Sequence, residues 1–287
     1  MRVVGGMILR NGVKMDYPFR EAILSALPLC EVFYVSVGQS DDGTREAVAA
    51  IGDPRILPIE SVWDLNLRQG GAVLAQETNK LLDMLPKADW VLILQADEVL
   101  HEEDYSSIRE AMLRWKDDGR VEGLLFDYLH FYGSYEWVGA SRRWYRREVR
   151  IIRPYPDIRA YKDAQGFRRS GRKLRVKYSG GRVFHYGWVR PPEAQLVKFV
   201  EMNRFWHNDE WIQRHKPERF VYSTSDRLRR YEGTHPQVMM SRIHTPLAWD
   251  FSYAPENARL TPREQLLQWI EDKTGWRPGE FRNYKLI

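Results

Sequence analysis

Short apolar runs alternate with amphipathic stretches through the first half of the chain, and their spacing sets the expected elements. An apolar strand at about residues 2–9 (RVVGGMIL) leads into a helix within PFREAILSALP, where Pro18 suits a first turn. EVFYVSV reads as a strand, GQSDDGT as a polar turn, and TREAVAAI as a short helix capped from Asp42 or Thr44. RILPIES follows as an edge-like strand containing Pro58, and AVLAQETNKLLDML has helical apolar spacing. WVLILQ is a core strand, and EEDYSSIREAMLRWKDDG is a helix with acids in its first turn, where the macrodipole favours them. GLLFDYLHFYG and EVRIIR are two further strands. This order predicts an α/β fold with a mostly parallel, three-layer sheet.

Beyond about residue 190 the pattern becomes helical. In PPEAQLVKFVEMNRFWHNDEW, Leu196, Phe199, Val200, Asn203 and Trp206 fall along one face. TPREQLLQWIEDKTG opens with Thr261, Pro262 and Glu264, a capping box with proline at the first helical position. No internal repeat or low-complexity linker separates the two regions, so the helical tail, 191–287, is expected to pack on the sheet domain, 1–190.

Composition adds few surprises. A chain of 287 residues and 34.0 kDa can bury a substantial core, and 13% aromatic with 29% charged residues exclude a disordered class. The longest apolar runs, such as WVLIL, are about a quarter of the roughly 20 residues a transmembrane helix needs. The apolar stretch at the N-terminus is too short for a secretory signal. The single cysteine, Cys30, excludes an intramolecular disulfide and fits a reducing, cytoplasmic setting.

Charge is distributed unevenly. The formal net charge is +5, yet Arg142 to Lys177 holds fourteen Lys/Arg against three acids, leaving the rest of the chain net acidic. A negatively charged partner is therefore expected at this stretch. It could hold a diphosphate and an anionic acceptor, rest on an anionic membrane surface, or bind nucleic acid. The last ranks lowest because no nucleic-acid motif accompanies the charge.

Three clusters could carry chemistry. VSVGQSDDGTREAV, 35–48, is a strand, a polar turn and a helix start, where a carboxylate can bind a ribose or base and free N–H groups can hold a cap or an anion. QADEVL, 95–100, ends a core strand with two adjacent acids, Asp97 and Glu98. Successive strand residues point to opposite faces, so one acid is expected to serve a ligand and the other the structure. Oxygen ligands at such a strand end suit Mg²⁺ or Mn²⁺, especially with a substrate diphosphate; the plainer reading is an N-cap pair for the next helix. VFHYGWVRPP, 183–192, gathers His185, Tyr186, Trp188 and Arg190. An imidazole beside oxygen ligands favours Mn²⁺, Trp188 could cover a sugar ring, and Arg190 could grip phosphate oxygens.

The order of these clusters resembles the family 2 glycosyltransferases, nucleotide-sugar-dependent and typically inverting enzymes with a GT-A fold. Their S-x-D-G-T turn is matched by Ser40, Asp42, Gly43 and Thr44, and their G-x-A-x-x-x-N and D-W-V-L-x-L-D-A-D-E segments by GGAVLAQETNKLLDMLPKADWVLILQADEVL. The similarity covers roughly residues 1–190. It implies a GT-A, Rossmann-like, three-layer mixed sheet with a helical C-terminal extension. It also implies that Asp97 is the second acid of the family's DxD element, ligating a metal that bridges the donor diphosphate. His185, in H-Y-G-W-x-R, would be a second metal ligand. Gln95 departs from the family by replacing its first acid, which removes one negative charge while keeping an amide able to bind the nucleotide.

The expected function is thus metal-assisted, inverting transfer of a sugar from a nucleotide-diphosphate donor to a hydroxyl of a glycan, lipid-linked or other acceptor. Asp163, in AYKDAQGF, is the candidate base, with Asp157 and Asp127 behind it. Asp42, Gln95, Asp97, Trp188 and Arg190 would bind the donor, and Asp97 and His185 the Mn²⁺ or Mg²⁺. Arg150 and Arg153 are strand charges or phosphate contacts. The tail would cover the acceptor side or mediate dimerisation. Rival readings are a non-catalytic polyanion- or glycan-binding protein on the same scaffold, and a nucleotide-sugar hydrolase.

Overall fold

Trp90, Leu92 and Leu94 pack into one core cluster, while Val91 and Ile93 between them join another, the period of two required of a strand buried on both faces. The computed structural model describes all 287 residues. In chain order, β1 (Val3–Leu9) is followed by α1 (Phe19–Ala26), β2 (Val32–Gly38), α2 (Thr44–Ala49), β3 (Ile56–Ser61), α3 (Ala72–Met84) and β4 (Trp90–Ile93). Then come β5 (Glu98–Leu100), α4 (Tyr105–Trp115), β6 (Gly123–Tyr132), β7 (Trp137–Gly139), β8 (Arg147–Ile152), β9 (Ile158–Tyr161), β10 (Gly166–Arg169) and the long β11 (Arg172–Trp188). The tail carries α5 (Pro192–Asn203), α6 (Asp209–His215), β12 (Leu228–Arg230), α7 (Met240–His244), α8 (Pro262–Thr274) and β13 (Tyr284–Leu286).

The strands run in the order β3-β2-β1-β4-β8-β6-β11-β10-β9. The first four are parallel, each joined to the next by a helix, and β3 with its Pro58 lies at the edge as expected. The expectation of a mostly parallel sheet needs correction beyond β4. The segment linking β6 to β8 contains only β7 and no crossover helix, so β8 returns antiparallel to both β6 and β4. β6 and β11 are again parallel, and the sheet is mixed.

Helices α1, α2 and α4 cover one face, contributing Ile23, Val48 and Met112 to the larger core cluster. On the other, Ala75 and Leu81 of α3 pack with Ile158, Ala160 and Phe167 of the β9–β10 hairpin. The result is a three-layer mixed α/β arrangement, helices and a β-hairpin on the two faces of one mixed sheet.

The tail is only partly helical. Its β12 pairs with β7 and its β13 extends the main sheet beside β11, while α8 carries the expected capping box between Thr261 and Glu264. No helix is long and apolar enough to cross a membrane.

Candidate active site

The carboxyl ends of β1 and β4 open into a cavity of about 260 Å³. Open α/β sheets bind ligands at this edge. Gln95, Asp97, Asp163, His185 and Trp188 line it, together with Arg10, Tyr17, Trp63, Lys198, Glu201 and Phe205. The buried indole N–H of Trp63 has no partner within the protein.

Beyond Ile93 the strand breaks, and the two acids separate. Glu98 turns inward, wholly buried. It accepts hydrogen bonds from Arg150 Nε and an Arg150 terminal nitrogen, each at 2.7 Å, from Tyr128 Oη at 2.9 Å, and from the Gln95 N–H at 3.0 Å. Glu98 therefore fixes the turn that carries Gln95 and Asp97, and Arg150 serves it as a strand charge. Arg153 is likewise structural, donating to the carbonyls of Trp115 and Lys116 at the end of α4.

Asp97 faces the cavity. Its Oδ2 accepts from Lys198 Nζ at 3.0 Å, with Arg190 at 3.8 Å, and its Oδ1 lies 3.7 Å from His185 Nε2. Burial alone would raise its pKa, but the Lys198 ammonium, with the Arg190 guanidinium behind it, wins and holds the carboxyl well below the usual carboxylate range. Burial lowers Lys198 to about 8, with Asp97 opposing.

His185 has a defined tautomer, assigned from its partners. His130 Nε2 sits 2.8 Å from the Tyr145 carbonyl, which can only accept, so that nitrogen carries the hydrogen. Burial pushes His130 down to about 3 and keeps it neutral, which leaves its Nδ1 bare to accept from His185 Nδ1–H at 3.0 Å. His185, pushed down to about 4 by burial, then presents a bare Nε2 toward Asp97. Two electron-pair donors converge on one point, as a cation site requires. No third His, Cys, Asp or Glu joins them. By themselves the two supply only two ligands, so a divalent ion there would need the rest of its shell from a bound oxyanion such as a diphosphate.

Gly187 makes this convergence sterically allowed. A Cβ there would lie 2.5 Å from His185 Cε1 and 2.9 Å from Asp97 Oδ2, and its carbonyl receives Lys198 and Arg190 at 3.0 and 3.1 Å.

Asp163 sits in the turn between β9 and β10, flanked by Lys162 and Ala164 at φ 55° and 58°. It forms no ion pair; its Oδ1 accepts only a 3.4 Å contact from the Gln165 N–H. Asp157 and Asp127 are instead bound to Arg169 and Arg147 away from the cavity. Asp42 is also outside the cavity lining. Its carboxylate is occupied by the Thr44 N–H and hydroxyl and by the Lys14 N–H, so it ties the loop after β1 to the start of α2. Arg190 is wholly buried behind Asp97, with its guanidinium on the carbonyls of Met15 and Gly187, and it does not line the cavity.

The sequence reading missed Lys198 and Glu201. The apolar stripe of Leu196, Phe199, Val200, Asn203 and Trp206 is only half-buried, whereas α5 turns Lys198, Glu201 and Met202, and the residues just after it Phe205, toward the site. Glu201 is held by Arg10 at 2.9 Å. The signal was present as polar residues three apart, Gln195, Lys198 and Glu201, the spacing of a helix face.

No protein-family model matches the chain, and no curated protein matches it. Solved structures do superpose on parts of it. Glucosyl-3-phosphoglycerate synthase from Mycobacterium tuberculosis, in complex with Mn²⁺, UDP and phosphoglyceric acid, is 14% identical over 46% of this chain and 43% of that chain, with a TM-score of 0.30. S. aureus TarS is 11% identical over 70% and 39%, with a TM-score of 0.36. Mannosyl-3-phosphoglycerate synthase from Rubrobacter xylanophilus is 16% identical over 47% and 42%, with a TM-score of 0.29. The chain spans less than half the length of each of these proteins.

Proposed function

We propose that the chain is a glycosyltransferase that moves a sugar from a nucleotide-diphosphate donor to an acceptor hydroxyl with inversion. The observation that carries this reading is the pairing, in one cavity, of an unpaired carboxylate, Asp163, with the Asp97–His185–Lys198 cluster. Asp163 takes the proton of the acceptor hydroxyl as that oxygen attacks the anomeric carbon, and Lys198 meets the negative charge of the departing diphosphate. Asp97 and His185 are the residues that would hold a divalent ion, Mn²⁺ better than Mg²⁺, and such an ion would supply further positive charge to the leaving diphosphate. Tyr17, Trp63 and Trp188 supply flat faces for the sugar and base, and Trp63 an N–H in need of an acceptor.

The test is turnover of a panel of UDP-, GDP-, ADP- and TDP-sugars with Mn²⁺, each with and without a mixture of sugar, polyol and lipid-linked hydroxyl acceptors, followed by acceptor-dependent release of the nucleoside diphosphate. One nucleotide class is expected to react. Asp163→Asn should lower its kcat at least a hundredfold while the donor KM stays within a few fold. Equal turnover by wild type and Asp163→Asn would remove Asp163 as the base, and inertness toward every donor would defeat the transferase reading.

A further inference from the structure

One carboxylate serves two claimants at the cavity floor. Asp97 Oδ2 is held by Lys198 at 3.0 Å, and Lys198 is anchored a second time on the Gly187 carbonyl. Asp97 Oδ1 faces the bare Nε2 of His185, where a divalent ion fits. A lone dication there would share its single carboxylate with an ammonium already in place, and with Arg190 behind it. No other acid ligand is present to offset the added charge. Like charges this close, shielded from water, repel strongly. A diphosphate reverses the balance, because its oxygens accept charge-assisted hydrogen bonds from the ammonium and also complete the shell of the ion.

We propose that Lys198 guards Asp97 against a divalent ion arriving alone, and yields the carboxylate when a nucleoside diphosphate arrives to receive the ammonium. This rests on the donor-site reading above and adds to it a coupling between nucleotide and metal. Lys198 suits the task because its charge rides on a flexible stem and can change partner, which the planar, doubly anchored Arg190 cannot do as readily. Lys198 is in this respect a positioning residue, acting on the ion through Asp97. The coupling is reciprocal: the factor by which nucleotide tightens the ion is the factor by which the ion tightens nucleotide.

The experiment is a titration of Mn²⁺, with free ion followed by electron paramagnetic resonance, into wild type, Lys198→Met and Lys198→Gln. Each titration is run without nucleotide and with UDP, GDP, ADP or TDP. Wild type is expected to bind Mn²⁺ weakly alone and at least tenfold more tightly with one of the four. Both variants should bind Mn²⁺ alone at least tenfold more tightly than wild type and lose most of the coupling. A damaged fold would weaken the ion, so this gain separates guarding from a merely structural role. Variants that bind Mn²⁺ alone no better than wild type, or three proteins that bind none, overturn the proposal. If the variants gain Mn²⁺ but no nucleotide binds any protein, the guard role stands while the release by nucleotide falls with the donor site.

Discussion

Glu98 accepts four hydrogen bonds inside the protein, two of them from a guanidinium that is itself fully buried. Removing the carboxylate leaves the Arg150 charge without its counterion in a dry environment. Glu98→Ala should therefore cost about 3–5 kcal/mol, measured by denaturant unfolding, far more than a surface acid would. A loss under about 1 kcal/mol would mean that the pair does not hold the Gln95–Asp97 turn. The divergence of the two neighbouring acids could be anticipated from strand alternation alone. Alternation does not say which one meets the cavity, which depends on Arg150 arriving from β8, fifty-two positions away; only the resemblance pointed to Asp97. Lys198 escaped notice for a related reason: a lone lysine on a helix ordinarily faces water, and only the return of α5 across the end of β11 brings it to Asp97.

At the scale of elements, the turn between β9 and β10 and the start of α3 depend on one another. Gly71, at φ 70°, stands where a Cβ would meet Asp163 Cβ and Trp206 Cζ2, each at 2.7 Å. Gly71→Ala must strain the backbone and push the Asp163 turn away. A loss of about 1–2 kcal/mol in melting experiments is expected, with at least a tenfold fall in donor turnover. Unchanged turnover would show that the position of Asp163 is immaterial. The helices of the first half were readable from their 3.6-residue spacing, and β1 to β4 from apolar runs. The β9–β11 region was not, because Leu174 and Val176 alternate with Lys173, Arg175 and Lys177 and so read as a charge run rather than a strand. The left-handed residues Lys162 and Ala164 have no signature in AYKDAQGF, since neither type favours that conformation.

At the scale of the whole molecule, the charge asymmetry resolves inward. Of the fourteen cations between Arg142 and Lys177, nine form ion pairs within the chain. Buried Glu122 alone gathers Arg169, Arg172 and Arg175. The negative partner expected for this stretch is largely the acidic remainder of the protein, and of the fourteen only Arg150 lines the cavity. Sequence showed the excess but not its destination, since the acids lie far away in the chain.

Glu148 makes stability depend on pH. Burial raises its carboxyl to about 7, so between its ordinary value of 4.5 and pH 7 the folded state binds more protons than the unfolded. Its contribution is therefore complete in acid and is lost as pH rises toward and through 7, by roughly 2–3 kcal/mol. Melting temperature should fall for this reason between about pH 5 and 8. Glu148→Gln should flatten that fall, and an unaltered slope would place the titration elsewhere.

The measurement that bears most directly on the whole account is a crystal structure of the chain with the nucleoside diphosphate of its best donor and Mn²⁺. The diphosphate is expected in the cavity at the ends of β1 and β4, with its oxygens on Lys198 and the ion between Asp97 and His185. A nucleotide seated instead on the shallow basic depression of Arg172, Lys173, Arg175, Arg282 and Lys285 would contradict the donor site and make the chain a binder of polyanions.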